Sequence, residues 1–151
     1  MTDPVVGIIM GSSSDEPTME KGCAILDELQ IPYDMIVCSA HRNPERTAEY
    51  ASTAKARGLK VIIAGAGLAA ALPGVVAAHT TLPVIGVPCA SGALNGVDAL
   101  YAIVQMPPGV PVATVGIDNA RNAAVLAAQI LALSDEGIQE RLQAYKDALG
   151  G

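Results

Sequence analysis

The chain has 151 residues, 51% of them hydrophobic, which suits one domain with a core large enough to stand without disulfides or metal. Nine Lys and Arg residues against fifteen acidic ones give a formal charge of −6, and the basic residues are scattered rather than clustered, which disfavours a nucleic-acid surface. The three cysteines, Cys23, Cys38 and Cys89, form no CxxC pair, so neither a disulfide framework nor a zinc site is expected, and a reducing cytoplasm fits.

The first apolar run, Val5 to Met10, reads as a buried parallel strand. No basic region followed by an apolar stretch precedes it, and no run in the chain approaches the length of a membrane span, so a soluble, unprocessed protein is expected. The strand leads into Gly11-Ser12-Ser13-Ser14-Asp15. Backbone amides, hydroxyls and the positive end of a following helix suit such a loop to phosphate and ribose hydroxyls. Ser and Asp also cap helices, and Asp15 can cap the helix expected to run to Leu29. The loop lacks both the Lys of a Walker motif and the spacing of a dinucleotide fingerprint.

Tyr33 to Cys38 is the second strand, followed by Ser39-Ala40-His41-Arg42. There an imidazole able to move a proton stands beside a guanidinium able to grip a phosphate with two donors. Asn43 and Pro44 then predict the cap and first turn of a helix running to Arg57 and stopped by Gly58. A third strand, Val61 to Ala64, opens the stretch through Gly65, Gly67 and Leu68 to Gly74, which has only small or aliphatic side chains. It can do no acid–base work, yet its backbone can approach a carboxylate or carbon dioxide closely; the same residues would also serve close packing of a helix on a sheet.

Leu72 to His79 predicts a short helix, with His79 structural, and Val84 to Val87 a fourth strand. Cys89 reads as a buried small hydrophobe rather than a nucleophile. Ala99 to Gln105 predicts another helix before the turn Met106-Pro107-Pro108-Gly109, and Val112 to Ile117 a fifth strand. Asn119 to Leu133 is apolar nearly all round, as in a helix buried on more than one side. Ser134 is expected to cap a last helix over about 135–149, whose stripe of Ile138, Leu142, Tyr145 and Leu149 is suited to docking. Strands alternating with helices imply βαβ units and a parallel sheet, with the three small loops gathered at the carboxyl ends of its strands, where such sheets bind ligands. With no Phe or Trp, each helix buries little area, and oligomerisation is the expected source of further burial.

Taken together, GSSSD, SAHR, AGAG with its following LPG, PVIGVP, Asn95-Gly96-Val97-Asp98, IVQMPPGVPVATV and NAAVLAAQIL span Val5 to Leu133. In these motifs the chain resembles the class I N5-carboxyaminoimidazole ribonucleotide mutases of purine biosynthesis, the PurE family. The resemblance implies an α/β fold, a three-layer α/β/α sandwich around a flavodoxin-like central parallel sheet. It implies one domain over 1–151, with a core of about 5–133 and a C-terminal helix that packs on neighbouring subunits of a homo-octamer. Sites would form where subunits meet, without metal or organic cofactor, in the cytoplasm, with no nucleic-acid or membrane partner. The substrate would be a small ribonucleotide supplied by an ATP-dependent synthase. By the same resemblance Ser12, Ser14 and Asp15 would bind the ribose-phosphate part, Ser39 and Arg42 the phosphate, and the amides around Gly67 and Leu68 the carboxylate. His41 would be general acid and base.

The related class II enzymes, which carboxylate aminoimidazole ribonucleotide directly with carbon dioxide, usually show SAHK and a different glycine loop. Arg42 and Ala64 to Gly67 therefore side with the mutases. A direct carboxylase and a catalytically impaired nucleotide-binding homologue are the alternative readings. Two positions depart from the mutase pattern, with Leu68 where the family usually has Gly and Ala71 where it usually has His.

Overall fold

A computed structural model describes residues 3–151; Met1 and Thr2, where the segment read as free of a leader begins, lie outside the described residues. The apolar runs form β1 (Val6–Met10), β2 (Tyr33–Val37), β3 (Val61–Ala66), β4 (Val84–Pro88) and β5 (Ala113–Thr114). Between and after them run α1 (Glu16–Glu28), α2 (Pro44–Thr53), α3 (Leu72–Ala78), α4 (Val97–Val104), α5 (Ala120–Ala132) and α6 (Glu136–Leu149). All strand pairs are parallel, in the order β2-β1-β3-β4-β5. This is the flavodoxin-like arrangement.

The sheet is covered on both faces, and the period-2 alternation of side chains divides the core in two. On one face Ile8 and Met10 of β1, Ile63 of β3 and Ile85 of β4 pack with Met19 and Leu26 of α1 and with the alanines of α5. On the other, Ile9, Ile62, Ala64 and Val84 pack with Tyr50 of α2, Val76 of α3 and Ile103 of α4. Burial on both sides is why β1 and β3 read as unbroken apolar runs rather than alternating ones. Leu26 has no exposed surface at the centre of the first cluster. Leu26→Ala should therefore cost about 2–5 kcal/mol of stability. Urea unfolding followed by circular dichroism checks this, with a lowered midpoint expected.

Three local expectations are corrected. The fifth strand, at the sheet edge, is two residues long, pairing only through Ile85↔Ala113 and Gly86↔Thr114. The last helix is capped by Asp135, whose carboxylate accepts the Ile138 N–H at 3.0 Å, so Ser134 lies one residue outside the cap. Asp15 precedes α1 but makes no side-chain cap bond; Ser12 instead caps a 3₁₀ turn, Ser13–Asp15, accepting the Ser14 N–H at 3.2 Å. The Asn43 cap forms as expected, accepting the Arg46 N–H at 3.2 Å, although α2 stops at Thr53 and loose turns carry the chain to Gly58.

In α6 the Ile138 and Leu142 side chains are buried against the chain's own α5 side of the core, joined by Tyr145. Arg141 Nε pins the helix by donating to the Leu29 carbonyl at 2.6 Å. Leu149, the last member of the stripe, is 70% exposed.

Candidate active site

The strand order itself makes the crevice. The chain leaves β1 to one side to build β2 and returns to the other side to build β3, so the loops at their carboxyl ends part and leave a cleft between them. That cleft has a volume of about 500 Å³, within the range of small-molecule sites. Every residue that the resemblance assigns to substrate or proton transfer lines it: Ser12, Ser14 and Asp15 after β1, Ser39, His41 and Arg42 after β2, and Gly67 and Leu68 after β3.

Each loop is held in shape by its own bonds. The Arg42 N–H donates to Ser39 Oγ at 3.1 Å and the Asn43 N–H to the Ser39 carbonyl at 2.8 Å, folding SAHR into a tight turn with His41 on its exposed side. The Arg42 guanidinium reaches across to the first loop, Nη2 donating to the Gly11 carbonyl at 3.1 Å. One donor is thus spent on clamping two loops together, and the others remain for an anion. Ser12 and Ser14 share a hydroxyl–hydroxyl bond of 2.9 Å beside them.

Asp15 lies at the floor, 8% exposed. Burial, with the Asp118 charge adding to it, raises its carboxyl above the ordinary range, while Cys89 opposes the shift. A buried acid beside hydroxyl-bearing loops is suited to bonding a ligand hydroxyl in either protonation state. Cys89 is buried, and desolvation with the Asp15 charge pushes its thiol up to about 12, so it holds its proton and is no nucleophile. His79 is exposed at the end of α3 and lines no part of the cleft.

The third loop is a tight turn closed by the Ala70 N–H on the Gly67 carbonyl at 3.0 Å. Its first corner residue, Leu68, has φ +54°, and Ala70 has φ +44°. Such conformations come readily to glycine, which is what the mutase pattern usually has at position 68; for a side-chain-bearing residue each costs of order 1–3 kcal/mol. Gly67 has no such freedom to spare: a Cβ there would stand 3.2 Å from both the Cys89 carbonyl and Ser91 Cβ. Ala71 is not among the residues that line the cleft.

Three participants were not legible in the sequence. Ser91 lines the cleft from the loop after β4. Asp118, at φ +60°, holds that loop in place, its N–H donating to the Pro88 carbonyl and its Oδ1 accepting from the Ala90 N–H, both at 2.8 Å. Arg46 lines a side hollow of about 310 Å³ that shares Gly11, Ser12, Ser39 and Arg42 with the main cleft and contains no carboxylate. The one sequence signal for Arg46 is its place four residues after Arg42, in the first turn of α2.

A family model described as AIR carboxylase matches residues 5–150. A Pyrococcus abyssi protein named N5-carboxyaminoimidazole ribonucleotide mutase is 60% identical over 144 residues, covering 95% of this chain and 83% of its own. A Bacillus subtilis protein of the same name is 60% identical over 146 residues, covering 95% and 90%. Among solved structures, a crystal structure described as Treponema denticola PurE superimposes with a TM-score of 0.88 at 33% identity, over 97% of this chain and 92% of that one.

Proposed function

The chain belongs to the AIR carboxylase family, and on that footing we propose that it converts N5-carboxyaminoimidazole ribonucleotide to 4-carboxy-5-aminoimidazole ribonucleotide in purine biosynthesis. The observation that carries this reading is the meeting of His41, Arg42, the Gly11–Asp15 loop and the Gly67 loop in one cleft of nucleotide size.

In this reading the phosphate lies against Arg42, Ser39 and the amides and hydroxyls of the first loop. Arg42 supplies paired donors there, and Arg46 adds positive charge from the adjoining hollow. Asp15 accepts from or donates to a ribose hydroxyl. The base then extends toward the third loop, with its carboxylate facing the amides around Gly67 and Leu68.

Chemistry begins with cleavage of the bond between the exocyclic nitrogen and the carboxylate carbon. Its electron pair stays on nitrogen, which takes a proton from His41, and carbon dioxide is left in the cleft. Ring carbon 4, made electron-rich by the freed amine, attacks the carbon of carbon dioxide to form the new carbon–carbon bond. His41 recovers its proton from carbon 4, and the ring regains aromaticity. Protons and electrons balance with one histidine and no co-reactant. Holding carbon dioxide beside its acceptor makes the second bond formation effectively unimolecular.

The protein acts as a homo-oligomer, an octamer by its family resemblance, in the cytoplasm, and draws its substrate from the ATP-dependent synthase. Support for self-association comes from α4, where Val97, Tyr101 and Val104 form an outward apolar stripe with Leu94 just before it, Tyr101 being 62% exposed. The outer side of α6, ending at Leu149, packs on a neighbouring subunit. Sedimentation velocity checks this, with a mass several times that of the 15.3 kDa chain expected.

The activity is tested by supplying the purified protein separately with the N5-carboxylated nucleotide and with aminoimidazole ribonucleotide plus carbon dioxide, following the carbon-carboxylated product by absorbance. Faster conversion of the carbamate is the expected result. Conversion of the second pair alone would make the protein a direct carboxylase, and nucleotide binding without either conversion would make it an impaired homologue.

A further inference from the structure

The third loop holds a feature that neither the fold nor the proton transfers explain. Leu68 is a branched side chain in a left-handed conformation, and it is 54% exposed, so its apolar group gains little burial in return for the strain. A left-handed backbone held at a half-exposed side chain in the wall of the cleft points to a role at the site. The side chain lines the cleft and reaches the loop after β4. There it rests on Gly92, itself at φ +69°, so closely that a Cβ on Gly92 would come within 2.9 Å of Leu68 Cδ2. The isobutyl group thus spans two of the loops that wall the cleft, beside Gly67.

We propose that Leu68 is the residue that retains carbon dioxide, an apolar bar across the carboxylate end of the cleft that hinders exchange between released carbon dioxide and solvent. The inference rests on the mutase reading above. Carbon dioxide is small and apolar, with no charge for Arg42 to hold, so once the carbon–nitrogen bond has broken only steric closure keeps it beside carbon 4. An apolar wall also excludes water, whose attack would convert the gas to bicarbonate. In a glycine-bearing loop this closure would have to come from elsewhere; here the chain carries it at position 68.

The test supplies unlabelled N5-carboxylated nucleotide in buffer charged with carbon-13-labelled carbon dioxide and measures label in the product at initial rates by mass spectrometry. The unmodified protein should incorporate little label. Leu68→Ala, which removes the bar, should raise the labelled fraction several-fold and release aminoimidazole ribonucleotide in parallel. Leu68→Met, a flexible apolar side chain of similar reach, should keep the labelled fraction low. Thermal melts accompany each variant, and position 68 is exposed enough that both should fold. Equal labelling by the unmodified protein and Leu68→Ala would overturn the proposal, as would Leu68→Met leaking as freely as Leu68→Ala. Absence of any conversion by the unmodified protein would instead overturn the mutase reading, and the inference with it.

Discussion

His41→Asn should lower turnover by about 10²- to 10⁴-fold, the usual worth of a positioned general acid and base, while substrate affinity stays close to that of the unmodified protein. Asparagine keeps a planar side chain with hydrogen-bonding atoms but cannot pass a proton. The substitution therefore removes one function and little else. The SAHR turn is held by the Arg42 and Asn43 N–H groups on Ser39, not by the exposed imidazole, so the loop should keep its shape. Steady-state kinetics give the turnover, and calorimetric titration with aminoimidazole ribonucleotide gives the binding. A variant that retained a third of its activity would show that another group moves both protons. Among the cleft's other side chains the serines bear hydroxyls and Arg42 a guanidinium, so such a result would point to Asp15, the remaining acid in the lining.

Arg42→Ala should act mainly on binding. Charge-assisted hydrogen bonds to a phosphate contribute about 1.5–3 kcal/mol, so a rise in KM of roughly 10- to 150-fold is expected, with kcat changed far less. In the proposed reading Arg42 does two things at once, because Nη2 also ties the Gly11 carbonyl across the cleft at 3.1 Å. Arg42→Lys separates them: it keeps a charge near the phosphate but loses the planar fork, and its KM should fall between those of the parent and the alanine variant. Titration with the nucleotide and with its dephosphorylated nucleoside completes the argument. If Arg42 holds phosphate, the alanine change weakens nucleotide binding and leaves nucleoside binding almost unaltered. Equal weakening of both would mean that the bond to Gly11, rather than the phosphate contact, is what the residue supplies.

The lining of the cleft was legible where chemistry and position are local. Ser39, His41 and Arg42 are consecutive, follow an apolar run and precede an Asn-Pro helix start, and all three line the cleft that the strand order opens. Leu68 shows the opposite case. Its identity is plain in the sequence, but its left-handed backbone and its reach to Gly92 depend on how the turn from Gly67 to Ala70 closes against the loop after β4. Ser91 and Asp118 were missed for a related reason. Asp118 bonds to Ala90, 28 positions away, and to Pro88 just before it, and nothing in the spacing of those residues announces the pairing.

What the sequence determined by itself follows from short-range rules. Apolar runs buried on two faces marked β1, β3 and β4, a shorter apolar run marked the half-buried edge strand β2, Asn43 with Pro44 marked a helix start, and alternation of strand and helix marked a parallel sheet with a ligand edge. Tertiary structure decided the rest. It shortened β5 to an edge pairing, moved the last cap from Ser134 to Asp135, and left Asp15 at the N-cap position of α1 without a cap bond, buried in the lining of the cleft. It also brought Arg46 into a hollow beside Arg42 and Ser39 and set Leu68 against Gly92 of the loop after β4. These are contacts between segments distant along the chain. Their geometry is set by how sheet and helices pack together, a property of the folded whole that no local pattern of residues encodes.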